Sequence, residues 1–146
     1  MDLIDEPPKF DIYDKGWSIY SRNTALAPQY SGSGAKIKNS SVAQGCMIYG
    51  TVDHSVIFSN VEIGDGSTVT DSVIMPGVKI GKNVTIEKAV VGTGAVIEDG
   101  AVIGKNEDKN GKYISDMCTH GLVLLENGRV ISAGDDIPKC SMVEIE

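Results

Sequence analysis

Apolar residues in the middle of this chain recur neither every 3.6 positions, as a helix requires, nor every second position, as a plain strand requires. From Ile57 they run through Ile63, Val69, Ile74, Ile80, Ile86, Val91, Ile97 and Ile103, in steps of six, six and five. The cycle closes after 17 residues and repeats. Ile63, Ile80 and Ile97 share one column. Val69, Ile86 and Ile103 share a second, and Ile57, Ile74 and Val91 a third. Val52 extends the second column backwards by 17, but Ile48 and Val42 extend the first and third by only 15. One early coil is therefore two residues short, between Ile48 and Val52.

Such spacing suits a three-sided coil that points one β-branched residue inward from each side. Gly64, Gly66, Gly81, Asn83, Gly100 and Gly104 fall near the corners, where the backbone needs conformations that branched residues resist. One coil cannot bury its inward residues alone, so coils must stack into Ile/Val ladders. The restricted χ1 of Val and Ile suits that packing. The pattern predicts an all-β protein, a triangular parallel β-helix over residues 35–104. Its about four coils, ~4.8 Å apart, span roughly 19 Å. The predicted core is Ile48, Val52, Ile57, Ile63, Val69, Ile74, Ile80, Ile86, Val91, Ile97 and Ile103. Ser55, Ser72 and Ala89 form a further column on the five-residue step, where short side chains permit a tight corner.

The flanks differ. Residues 1–34 read as an irregular linker and packing segment, opened by Pro7 and Pro8. Phe10, Tyr13, Trp17 and Tyr20 gather there, set to cover an end of the coils or to meet another domain or subunit. Residues 105–146 read as a C-terminal cap and tail. Gly121–Leu125 is a strand, Asn127-Gly128 carries a hairpin signal, and Val130-Ile131 is the returning strand.

Composition agrees with turns and a branched-aliphatic interior: 17 Gly against 2 Phe and 1 Trp in 146 residues. The net charge of -7, with no Lys/Arg cluster, argues against a nucleic-acid partner. No apolar run is long enough to span a membrane, and the first residues lack the pattern of a signal peptide. Cys46, Cys118 and Cys140 are too scattered for a metal knuckle, and reduced thiols in the cytoplasm are the expectation.

Candidate chemistry is sparse. His54 falls on a polar corner whose equivalents are Asp71 and Lys88, which reads as solvated surface. His120 lies outside the repeats, two residues from Cys118, too little for a metal or nucleophile site. Asp11 with Asp14, and Glu107 with Asp108, have no motif that would make them acid/base couples. No phosphate-binding glycine loop is present. The expectation is no catalytic residue, no metal site and no cofactor site within the chain.

Several segments in order carry a resemblance. They are Trp17–Tyr20, Pro28-Gln29-Tyr30, Asn39-Ser40, Gly45-Cys46, Gly50–Ile57, Asp71–Gly77, Val102–Asn106 and Gly121–Leu125. Together they resemble the C-terminal region of bacterial glucose-1-phosphate adenylyltransferase, also called ADP-glucose pyrophosphorylase. The resemblance implies a left-handed β-helix of hexapeptide repeats, a known exception to right-handed crossovers. It implies an enzyme that makes ADP-glucose and pyrophosphate from ATP and glucose 1-phosphate with Mg2+, for glycogen synthesis. In that family the catalytic domain precedes the β-helix, and this chain is too short to hold it. The chain alone is then inactive, a fragment or a truncated homologue. Mg2+ and ATP belong to the absent domain.

The family's β-helix supports tetramer assembly and allosteric control. The implied partners are the chain's own catalytic domain, sister subunits and a phosphorylated metabolite. Lys15, Trp17, Tyr20 and Arg22 lie in the joining segment and are the implied effector or interdomain contacts. Three alternatives remain open. They are a hexapeptide acyltransferase using His54 or His120, the C-terminal domain of a related sugar-nucleotide transferase, and a noncatalytic paralogous subunit.

Overall fold

A computed structural model describes residue 16 and residues 25–106 and 120–143. Its strands are two or three residues long, because each side of the coil needs one inward residue and little else before the chain turns. The first face stacks β1 (Tyr30–Ser31), β4 (Met47–Ile48), β7 (Glu62–Ile63), β10 (Lys79–Ile80), β13 (Val96–Ile97) and β16 (Val130–Ile131). The second stacks β2 (Lys36–Lys38), β5 (Thr51–Asp53), β8 (Thr68–Thr70), β11 (Thr85–Glu87), β14 (Val102–Ile103) and β17 (Asp136–Ile137). The third stacks β3 (Ser41–Val42), β6 (Val56–Ile57), β9 (Val73–Ile74), β12 (Ala89–Val91), β15 (Val123–Leu125) and β18 (Met142–Val143). Successive strands of a face pair in parallel, so the fold is a parallel β-solenoid of about six turns.

The register follows the sequence period. Ile80 pairs with Ile63 and Ile97, Ile86 with Val69 and Ile103, and Val91 with Ile74. These residues are buried in one continuous core. The short step also falls between Ile48 and Val52. There Tyr49-Gly50 makes the corner that Gly64–Ser67 makes one coil later. A methyl group at Gly50 would collide with the Ser67 carbonyl, so that abbreviated corner requires glycine.

Two expectations change. The solenoid has about six coils instead of about four, because the strands do not stop at residue 104. Nor does Asn127-Gly128 close a hairpin. β15 and β16 lie on different faces and pair in parallel with β12 and β13. The hairpin signal failed because a corner and a tight turn need the same left-handed residue, here Gly128 at φ 69°. Asn127 instead accepts a hydrogen bond from Thr93 N–H, one coil back. Ala89 pairs with Val123, twice the 17-residue period away, so the departure after Gly104 leaves the coils in phase.

Candidate functional site

The corner joining the second and third faces holds most of the candidate chemistry. It takes the five-residue step, and one residue per coil turns left-handed there: Asn39, His54, Asp71 and Lys88, at φ 43°, 45°, 49° and 49°. Asn and Asp tolerate this conformation best. Stacking then brings the 17-residue neighbours together. His54 Nδ1 lies 2.6 Å from Asp71 Oδ1, with both side chains about a third exposed (34% and 38%). The sequence placed both residues in one polar column but did not reveal that they bond. The period was the available signal, since it sets equivalent corners one strand spacing apart.

Behind this ridge runs the serine column. Ser55 N–H donates to Ser40 Oγ, Ser72 N–H to Ser55 Oγ, and Ala89 N–H to Ser72 Oγ. The hydroxyls of Ser55 and Ser72 in turn donate to Asp53 and Thr70 carbonyls. Each hydroxyl thus does the work of a missing ladder carbonyl where the backbone bends.

His120 is exposed at φ 69° and borders an open depression of about 300 Å³ with Lys88, Gly121, Lys139 and Cys140. A second open groove, about 470 Å³, crosses the first face near Glu62, Lys79, Glu98 and Asp99. Its acids serve corners: Asp99 accepts the Lys82 N–H and Glu98 the Ala133 N–H. Neither hollow aligns a general acid with a base. Among the described residues no three His, Cys, Asp or Glu side chains converge as a metal site.

Cys46 is buried and free, and its Sγ–H donates to the Phe58 carbonyl at 3.0 Å. Burial pushes its thiol up from the ordinary value, outweighing the lowering by backbone hydrogen bonds at Val61 and Asn60. A protonated, enclosed thiol is a packing group and not a nucleophile. Cys140 corrects an expectation: it is disulfide-bonded. Sequence separation could not show that pairing. Lys15, Trp17, Tyr20, Arg22 and Cys118 lie outside the described residues, as do the Asp11/Asp14 and Glu107/Asp108 pairs.

A family model described as GlmU-like, C-terminal hexapeptide matches residues 24–125. The chain belongs to this family. The expected left-handed hexapeptide β-helix is consistent with the parallel three-faced solenoid. Among relatives, the glucose-1-phosphate adenylyltransferase of Clostridium novyi is 47% identical over 69 residues, covering 47% of this chain and 18% of that protein. Those of Desulforamulus reducens and Geobacillus stearothermophilus are each 45% identical over 69 residues, again 47% of this chain, and 17% and 18% of their own lengths. This hexapeptide chain therefore matches less than a fifth of each relative.

Proposed function

We propose that this chain is the C-terminal assembly and regulatory domain of a glucose-1-phosphate adenylyltransferase. The parent enzyme would form ADP-glucose and pyrophosphate from ATP and glucose 1-phosphate, in the cytoplasm, for glycogen synthesis. The observation that carries this reading is the 42–47% identity to proteins of that name across a hexapeptide β-helix. Asp99 and Glu98 accept backbone N–H groups at the corners, which suits a structural part. Mg2+ and ATP then belong to a catalytic domain outside this chain. Residues Lys15 to Arg22 would contact that domain or a phosphorylated effector, within a homotetramer.

The test is enzymatic. Purified chain given ATP, glucose 1-phosphate and Mg2+ is expected to release no pyrophosphate. Replacing the β-helix of the Geobacillus relative with residues 25–143 is expected to preserve both synthesis and assembly. Pyrophosphate release by the isolated chain that depends on glucose 1-phosphate would overturn the reading, as would a folded chimera that fails to assemble.

The His54–Asp71 hydrogen bond favours a second reading, acyl transfer, because a carboxylate that orients an imidazole equips it as a general base. Acetyl transfer from acetyl-coenzyme A that disappears in His54→Ala would establish it. Absence of coenzyme A binding would remove it.

A further inference from the structure

The open depression beside His120 holds a bonded sulfur. Lys88, His120, Gly121, Lys139 and Cys140 line it, so two lysines and a histidine meet there with no acid, in a chain of net charge -7. Cys140 is disulfide-bonded, while Cys46 is free and buried, and the chain has three cysteines. Counting leaves Cys118 as the partner. Cys118 stands two residues before His120, which shares the hollow with Cys140, and two residues of chain reach at most ~7 Å. A disulfide needs Cα atoms about 4.4–6.8 Å apart.

The bond falls where the stack is held from one side only. Among the described strands, β16, β17 and β18 each end their face. Cys140 lies two residues before β18, which Leu124 and Glu126 hold by donating N–H groups to the Ser141 and Val143 carbonyls. A cross-link from 118 to 140 ties both ends of the segment that carries β15, β16 and β17, and so restricts the freedom it gains on fraying.

We infer that Cys118 and Cys140 form a thiol–disulfide exchange site, a reversible clasp on the last coil that small anionic thiols open. A thiolate attacks Cys140 Sγ, the S–S bond breaks, and the electron pair leaves on the Cys118 sulfur, which takes a proton from water. A second thiolate attacks the resulting mixed disulfide and releases the Cys140 sulfur as a thiolate, which is protonated in turn. The cysteine pair gains two electrons and two protons, and the two small thiols leave as their disulfide. Lys88 and Lys139 draw an anionic thiol into the hollow and favour negative charge on the departing sulfur. In reducing compartments disulfides are usually transient or redox-sensing, and an open, cation-ringed bond suits that use. The inference goes beyond the assembly reading and does not rest on it.

The full 146-residue chain, equilibrated with glutathione disulfide, tests this by non-reducing peptide mass spectrometry. A Cys118–Cys140 cross-linked peptide pair is expected. Reduction by 2-mercaptoethanesulfonate should speed amide exchange at Leu124 and Glu126 at least about ten-fold. The Phe58 N–H, bonded to the Ile74 carbonyl several coils away, should be unaffected. Cys118→Ser should reproduce the reduced pattern; if that variant does not fold, the reduced unmodified chain supplies the same reading. The rate of reduction by 2-mercaptoethanesulfonate relative to cationic cysteamine should fall at least about three-fold when Lys88→Gln and Lys139→Gln are combined. A cross-link to Cys46, no cross-link under oxidising glutathione, equal exchange in the two redox states, or an unchanged rate ratio would each overturn the inference.

Discussion

At the scale of single residues, the tight corner depends on hydroxyls placed where the ladder would lose a partner. Ser72 Oγ accepts the buried Ala89 N–H and donates to the Thr70 carbonyl. Ser72→Ala strands that N–H without changing the volume much. A buried donor left unpaired costs about 1–3 kcal/mol. Urea unfolding should show a lower midpoint with an unchanged slope; a loss below about 0.5 kcal/mol would show that the hydroxyl is dispensable. Cys46 carries a pH signature. Its folded thiol ionises above the ordinary 9.0 because burial disfavours the thiolate. Below that pH both folded and unfolded thiols keep their protons, and the contribution to stability is full. As pH rises past it, the unfolded thiol loses its proton first, and native stability falls until the folded thiol also ionises. The denaturation midpoint of the unmodified chain should therefore drop more steeply from about pH 8 to about pH 10 than that of Cys46→Ala. Parallel profiles would remove the explanation.

At the scale of elements, the unit is the 17-residue coil and not the strand. Each strand is too short to be stable alone, and its two ladder neighbours supply its hydrogen bonds. Register matters more than composition, since a one-residue slip turns inward side chains outward. Removal of residues 78–94 deletes one full period and rejoins Gly77 to Ala95. Ile97 then stacks on Ile63, Ile103 on Val69 and Leu125 on Ile74. The shortened chain is expected to fold with parallel-strand circular dichroism and to melt cooperatively at a lower temperature. Removal of residues 78–93 breaks the phase and should abolish the cooperative transition. Equal behaviour of the two deletions would refute the coil as the unit. Gly50 shows how strictly such corners are built. It replaces a four-residue corner with two residues because its missing side chain lets the Ser67 carbonyl approach.

At the scale of the whole molecule, about six coils make a prism of three parallel-stranded faces. Outward positions on the first four strands of the second face are charged or hydroxyl-bearing, while those on the last five strands of the third face are uncharged. The prism also explains why the candidate chemistry is thin. Among the described residues the inward positions are consumed by the core, Asp99 and Glu98 accept backbone N–H groups at corners, and Asp71 meets His54 on a ridge. A catalytic site needs convergent groups in a concave, partly dry setting. The family relationship is consistent with this division, since the matched stretch is a small part of each adenylyltransferase relative.

Much of this was legible along the chain because the fold is nearly one-dimensional. The period of 17, the three inward columns and the short corner between Ile48 and Val52 are local arithmetic, and stacking preserves local arithmetic. The sequence by itself thus determined the coil, its inward residues and the sparseness of catalytic motifs. Tertiary structure decided what depends on neighbours in space. It continued the coils past residue 104, because Val123 meets Ala89 only after an excursion of twice the period. It turned Asn127-Gly128 from a hairpin into a corner, because both need the same backbone conformation. It showed that His54 and Asp71, which the period sets on neighbouring corners, are hydrogen-bonded, and it placed Cys140 in a disulfide that the period does not encode. It also gathered Val56, Val73, Val90, Leu124 and Met142 onto one face. Each is unremarkable in sequence, and they become a surface because parallel strands stack them at a fixed separation.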